Sequence, residues 1–175
     1  MASIAIGMDS VLKKYCDAYR EKGIMPPLFK NKLPGVLSSA PRNLRTVDAE
    51  TGLLLTGKLD DCLELKKGVF AVMDHKTRAS APKEVHPTYQ VQMDAYTYLL
   101  EANGYPTERS AFLVYYWPEP GKLEEGFPFG IEVKKLETNP DSIKVLLKIV
   151  KNVLEEEMPA ASTECEFCSW AAKVK

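Results

Sequence analysis

A carboxylate and an ammonium stand two residues apart, at Asp74 and Lys76, at the end of the apolar run formed by residues 69–73. Side chains alternate along a strand, so both groups project from the same face of the strand that this run predicts. An isolated Asp-x-Lys pair is more often a structural ion pair than a catalytic pair. The neighbouring residues therefore decide between the two interpretations.

A second carboxylate, Asp60, follows Gly57 in a Gly-x-x-Asp sequence, on the segment expected to form a hairpin with that strand. Paired strands lie about 5 Å apart, so Asp60 and Asp74 are expected to share a hard divalent cation such as Mg²⁺ or Mn²⁺. Without a cation, their repulsion would be costly in a partly buried site. Asp61 projects to the opposite face and is the weaker candidate unless a bulge exchanges the two aspartates, whereas the carbonyl of His75 offers a further oxygen ligand.

Lys76 has a role beside such a cation. Its ammonium can orient or activate an attacking water and stabilise the negative charge of a phosphate, as phosphodiester hydrolysis requires. Gln92 and Tyr96 lie four residues apart on one face of the next predicted helix. Seen alone, that pair is as consistent with the edge of the core as with function. Beside a metal site, Gln92 can hold Lys76 or a phosphate, and Tyr96 can contact a nucleic-acid backbone.

Hydrophobic periodicity predicts the elements that must position these residues. We expect helices over residues 9–22, 87–103 and 140–157, strands over 53–66, 69–77, 110–117 and 129–135, and an irregular segment between Pro26 and Pro41. This order predicts one α/β domain over residues 1–175, with a central mixed sheet flanked by helices.

Three details of these elements can be checked directly. Asp9 or Ser10 is expected to cap the first helix. Leu59, Leu63 and Leu65 are expected to share one face of the strand over residues 53–66. The last helix is expected to present an apolar stripe, formed by Ile143, Leu146, Leu147, Val150 and Leu154.

The composition is that of a globular protein: 45% of the 175 residues are hydrophobic and 27% are charged. A net charge of −1 disfavours a globally basic protein that coats nucleic acid. Charge is nevertheless uneven, with eight basic and three acidic residues over positions 1–45, and seven acidic and three basic residues over positions 137–166. The imbalance indicates either two solvated faces or a basic wall that meets a polyanion.

Sparse cysteines, the lack of a leader-like N-terminus and the lack of a run of about 20 apolar residues favour a soluble cytoplasmic protein without a membrane partner.

The motifs Gly57-x-x-Asp60, Asp74-x-Lys76 and Gln92-x-x-x-Tyr96, in this order, resemble the PD-(D/E)XK nuclease superfamily. They are most similar to its RecB-like and CRISPR-associated exonuclease branch. The resemblance is firm over about residues 50–117.

This resemblance implies a restriction-endonuclease-like fold and metal-dependent, exonuclease-type cleavage of DNA in repair, recombination or defence. It also implies that Asp60 and Asp74 bind the metal, that Lys76 is catalytic, and that Gln92 and Tyr96 support the site. A helicase or an integration complex would be a natural partner of such an enzyme. The alternative is a non-catalytic nucleic-acid-binding or scaffold domain that keeps the nuclease fold.

Two departures from the branch concern metal ligands. Many members carry a histidine in the N-terminal helical region, but here the histidines are His75 and His86, so a water or another carboxylate would have to serve. Cys165 and Cys168, with Cys16 far upstream, are similar to the iron–sulfur staple of some relatives, but the usual third C-terminal cysteine is missing. A cluster or a closed zinc site usually needs four ligands, so we expect a vestigial staple or packed cysteines, and not an iron–sulfur or metal-sensing centre.

Overall fold

The computed structural model describes residues 3–158, 160–162 and 164–174, with side chains from residue 6 onward. Its helices are α1 (Ser3–Arg20), α2 (Pro87–Ala102), α3 (Asp141–Glu155) and α4 (Glu166–Lys173). Its strands are β1 (Val36–Leu37), β2 (Asn43–Val47), β3 (Leu54–Lys58), β4 (Asp61–Lys66), β5 (Val69–Thr77), β6 (Thr107–Pro118) and β7 (Phe129–Glu137). None of the described helices has both the length and the apolar character needed to cross a membrane.

Within the described residues, one sheet has the strand order β1-β4-β5-β6-β7, and β2 and β3 form a separate antiparallel ladder. In the larger sheet, β5 and β6 run parallel and the other neighbours run antiparallel. The parallel pair needs a crossover, which the segment containing α2 supplies. The expected α/β architecture with a mixed sheet flanked by helices is therefore confirmed.

Alternation along β5 divides its side chains between two cores on opposite faces of the sheet. Ala71 and Met73 pack in the cluster that also contains residues of α1. Val72 packs in the cluster that contains residues of α2. Further along the strand, Asp74 continues the α2 side and His75 the α1 side. The central strand therefore brings different polar groups to its two faces.

The expected single strand over residues 53–66 is wrong, because the chain changes its pairing partner near Asp60. Before this point β3 pairs with β2, and after it β4 pairs with β5. The break also reverses the alternation: Leu59 packs in the α2-side cluster, whereas Leu63 and Leu65 pack on the α1 side. The expected common face of these three leucines is wrong for the same reason.

The N-terminal part of the chain is more regular than expected. Helix α1 begins at Ser3, so Asp9 and Ser10 lie inside the helix and the expected cap is wrong. The segment between Pro26 and Pro41, expected to be irregular, contributes β1 and the buried side chains of Phe29 and Leu37. Pairing of β1 with β4 supplies backbone hydrogen bonds that local turn residues do not reveal.

The expected helix over residues 87–103 is confirmed as α2, and Gly104 follows it with the positive φ of +82° that favours glycine after a helix. The expected last helix is confirmed as α3, but its predicted stripe is not buried throughout. Ile143 and Leu147 are buried, whereas Leu146, Val150 and Leu154 are exposed. Helix α4 was not predicted.

Candidate active site

Asp74 and Lys76 form a close ion pair on the α2 side of β5, with Lys76 Nζ 2.5 Å from Asp74 Oδ2. The Asp74 side chain is only 4% exposed. No described residue makes a hydrogen bond to its Oδ2, so the contact with Lys76 is a charge contact without hydrogen-bond alignment. Burial raises the pKa of Asp74, Lys76 opposes that rise, and the nearby charge of Asp60 adds to it. The site therefore holds a buried carboxylate oxygen that is able to accept a further cation.

Asp60 reaches the same place from the break between β3 and β4. Because this residue belongs to neither ladder, its side chain is free to turn toward β5, where Oδ2 accepts a hydrogen bond from the backbone N–H of His75 at 3.2 Å. Its Oδ1 lies 3.4 Å from Lys13 Nζ of α1. The same ammonium lies 2.8 Å from Asp9 Oδ2. Burial lowers the pKa of Lys13, but the two carboxylates outweigh it and the net shift is upward.

Helix α2 supplies a row of polar groups that ends on Lys76. Lys76 Nζ donates to Gln92 Oε1 at 2.9 Å, and Gln92 Nε2 donates to the Tyr96 hydroxyl at 3.1 Å. The Tyr96 hydroxyl then donates to the backbone carbonyl of Lys58 at 3.0 Å. Spacing of four residues places Gln92 and Tyr96 on one helical face. The row therefore connects the lysine on β5 to the chain just before Asp60.

Gly57 explains how Tyr96 comes so close to β3. A Cβ atom at this position would lie 2.5 Å from Leu99 Cδ1 and 3.0 Å from the ring of Tyr96. Both distances are shorter than ordinary van der Waals contacts, so only glycine fits without displacement. The glycine of the Gly-x-x-Asp sequence therefore lets α2 pack against β3, and it places the Tyr96 hydroxyl beside the Lys58 carbonyl.

All five residues that the sequence motifs singled out, Asp60, Asp74, Lys76, Gln92 and Tyr96, thus lie in one cluster. Two carboxylates can bind a hard cation. The positioned ammonium beside them can stabilise negative charge on a phosphate at the same place.

The sequence interpretation missed two side chains of this site. Lys76 Nζ lies 4.6 Å from the centroid of the Tyr89 ring, a cation–π contact. Tyr89 stands three residues before Gln92, so the helical spacing of the polar row could have indicated it. Lys13 carries no comparable signal, since its approach to Asp60 depends on how α1 packs against the sheet.

The side chain of His75 lies on the opposite face of β5, so the ring is not part of this site. Its Nε2 lies 3.2 Å from Asp61 Oδ2, and its Nδ1 lies 2.8 Å from the Tyr116 hydroxyl. Burial lowers the pKa of His75, and a neutral ring satisfies both contacts if Nε2–H donates to Asp61 and Nδ1 accepts from Tyr116. Asp61 also bonds the guanidinium of Arg20. These bonds fix the backbone of β5 directly behind Asp74.

Cys16, Cys165 and Cys168, the cysteines of the expected vestigial staple, do not form a group spaced closely enough to hold a metal ion among the described residues. Among the described residues, the group spaced closely enough to hold a metal ion is Cys16 with Asp61 and His75. Asp61 already bonds Arg20, and His75 already bonds Tyr116. The group is therefore a buried hydrogen-bond network. Cys16 points from α1 into the core, where burial raises the pKa of its thiol to about 11.

Cys165 and Cys168 lie together at the start of α4. The Cys165 sulfur caps the helix by accepting a hydrogen bond from the backbone N–H of Cys168 at 3.4 Å. This contact gives the pair a structural role at the helix terminus.

Comparison with known proteins places the chain in a family. The crystal structure of SSO0001 is similar, with a TM-score of 0.46 and 16% identity, over 98% of this chain and 70% of that chain. No curated protein matches the chain. The family model of the PD-(D/E)XK nuclease superfamily matches residues 15–172. Because this match spans the sheet, the five motif residues and helices α2 and α3, the chain belongs to the PD-(D/E)XK nuclease superfamily.

Proposed function

We propose that this protein hydrolyses phosphodiester bonds of DNA with the help of Mg²⁺ or Mn²⁺ bound by Asp60 and Asp74. The observation that carries the proposal is the buried Oδ2 of Asp74, which has the Lys76 ammonium beside it at 2.5 Å but no aligned hydrogen bond from a described residue. Carboxylate oxygens are the ligands that these hard cations prefer, so the residues present fit the metal. When bound, the cation would lower the pKa of a water and stabilise negative charge on the phosphate.

The protein's own groups divide the remaining work. Lys76 supplies a positive charge for a phosphate oxygen or holds the attacking water. Gln92 keeps the lysine in place through Oε1, so that the ammonium stays near the reaction even when its contact with Asp74 is given up. Tyr96 fixes Gln92 in turn. This row on α2 is what favours the RecB-like, exonuclease-type branch over other members of the superfamily.

A DNA substrate is supported by exposed cations in the segments that precede Asp60 and follow Lys76. Arg45 and Lys58 line a shallow cavity on the β2–β3 ladder, and Arg78 and Lys83 line another in the loop between β5 and α2. All four side chains are exposed. Within the described residues, none of the four has a carboxylate within 4.0 Å. Such cations are available for phosphates.

The test is cleavage of end-labelled linear DNA and of covalently closed circular DNA, each single- and double-stranded, with Mg²⁺, with Mn²⁺ or with a chelator. We expect cation-dependent cleavage of the linear substrates that Asp74→Ala and Lys76→Ala abolish. The matched controls Asp141→Ala and Lys66→Ala change exposed residues outside the cluster and should cleave like the parent.

Equal cleavage by the Asp74 and Lys76 variants, or cleavage in the chelator, would contradict the proposal. Binding of DNA without any cleavage would favour the alternative of a non-catalytic domain. Cleavage of circles would replace the exonuclease assignment with an endonuclease.

A further inference from the structure

Helix α3 exposes a broad apolar surface. Ile143 and Leu147 are buried against the rest of the molecule. The remaining large apolar side chains of the helix are between 38% and 68% exposed, and we call them the α3 face. The α3 face consists of Val145, Leu146, Ile149, Val150, Val153 and Leu154.

Single exposed apolar residues are ordinary, but a contiguous group on one helix marks an interaction surface. The charged residues of α3, which include Lys144, Lys148 and Glu155, lie on the other side of the helix by periodicity. An isolated helix of this kind would be expected to bury its apolar arc. Its two buried positions account for only part of that arc.

The order of residues in the α3 face is symmetric about its centre. Apolar pairs stand at 145–146, 149–150 and 153–154, so the pattern is the same when it is read in either direction. Two copies of the helix packed antiparallel would set Leu146 of one copy at the level of Val153 of the other, with Ile149 and Val150 near the axis. A two-fold interface requires this kind of self-complementary surface, in which residue i contacts residue j and residue j contacts residue i.

The charges at the two ends of α3 fit the same arrangement. The C-terminal end carries Glu155, Glu156 and Glu157, where the negative end of the helix dipole makes acidic groups unfavourable. The N-terminal end has the positive end of the dipole, and Arg109 lies there between Asp141 at 2.7 Å and Glu101 at 3.5 Å. Antiparallel packing would bring each acidic end to the positive end of the other copy.

We propose that α3 is the contact surface between two copies of this chain, packed antiparallel about a two-fold axis between Ile149 and Val150. Symmetric apolar spacing and complementary ends favour a second copy over an unrelated partner. The residues of the candidate active site lie outside α3, so the proposed interface does not include the candidate active site of either copy. Its formation does not depend on the proposed function.

The test measures the molar mass of the full chain by light scattering and sedimentation equilibrium, from low micromolar to near-millimolar concentration. We expect a concentration-dependent dimer that Ile149→Asp weakens by at least about tenfold, since this residue lies at the centre of the interface. Val91→Asp is the matched control: Val91 on α2 is exposed to 49%, against 54% for Ile149. Both positions tolerate a charge without disturbing the core, so loss of folding is not expected.

A charge exchange tests the antiparallel direction. Glu156→Lys with Glu157→Lys should weaken the dimer at low salt, and adding Arg109→Glu should restore part of the loss. A chain that stays monomeric at every concentration overturns the proposal and leaves another occupant for the α3 face. A dimer that resists Ile149→Asp, or charge exchange without recovery, overturns it as well.

Discussion

Lys76 is held from two sides, by the carboxylate of Asp74 and by the amide oxygen of Gln92. The carboxylate is also the best placed ligand for a cation. A bound cation would therefore weaken the contact between Lys76 and Asp74. The hydrogen bond to Gln92 would then be the main support of the Lys76 ammonium. This makes Gln92 a positioning residue for the proposed reaction.

Gln92→Ala should lower the turnover of DNA by about 10²-fold, the cost of a small misplacement of a catalytic group. The loss should appear in kcat and not in the KM for DNA, because Gln92 acts through Lys76. Gln90→Ala is the matched control, since Gln90 lies on α2 but bonds Asp94 and the backbone of Glu137. Equal losses of kcat in Gln92→Ala and Gln90→Ala would mean that both substitutions act by destabilising α2, and not through Lys76.

Asp74 is expected to make the metal-free protein less stable at neutral pH. Burial raises its pKa above the ordinary 3.8, so the folded state holds this proton more tightly than the unfolded state. The free energy of unfolding then falls as the pH rises from the ordinary pKa through the raised one. Asp74→Asn removes the charge, so it should raise the thermal midpoint at pH 7 in a chelator and remove the stabilisation by Mg²⁺.

Asp48→Asn serves as the opposite control in that experiment. Hydrogen bonds from Thr51 lower the pKa of Asp48, so neutralising this carboxylate should lower the midpoint and leave the effect of Mg²⁺ intact. A midpoint for Asp74→Asn below that of the parent in the chelator would show that the ion pair with Lys76 outweighs burial.

At the scale of elements, the packing of α2 against β3 decides whether the polar row can form. Gly57→Val would place side-chain atoms where Leu99 and Tyr96 now lie, so α2 must shift or Tyr96 must leave the Lys58 carbonyl. We expect cleavage to fall by at least about tenfold, with a smaller loss of stability, since overpacking costs about 1–3 kcal/mol. The control is Thr56→Val, one residue earlier at an exposed position, which should change neither DNA cleavage nor stability. Full activity of Gly57→Val would contradict the role of Gly57 in placing Tyr96.

The helices and strands also show which residues of the candidate active site can be predicted from the sequence. Asp74 and Lys76 follow from alternation along one strand, and Gln92 and Tyr96 follow from helical spacing, so local periodicity was sufficient for both pairs. Asp60 was assigned to the right neighbourhood although its strand was wrong, because the β4–β5 hairpin alone fixes that distance. The break at Asp60 and the short β1 depend on pairing with distant segments, and local patterns carry little information about such pairing.

At the scale of the whole molecule, a net charge of −1 is compatible with a nucleic-acid substrate because exposed cations are grouped in the segments just before Asp60 and just after Lys76. Arg45 and Lys58 line one cavity, on the ladder that precedes Asp60, and Arg78 and Lys83 line another, in the loop that follows Lys76. Attraction of the substrate is then a local property of these segments.

Arg78→Ala with Lys83→Ala should therefore weaken DNA binding and make it less sensitive to salt. Each lost phosphate contact reduces the slope of log K against log salt concentration by about 0.7 to 0.9, so the double variant should lose about 1.5. Lys122→Ala with Lys144→Ala removes two exposed cations elsewhere and should leave the slope unchanged. Binding is measured by fluorescence anisotropy in a chelator, which prevents cleavage. If both double variants reduced the slope equally, the DNA would be held by net charge, and the loop that follows Lys76 would have no special part in binding.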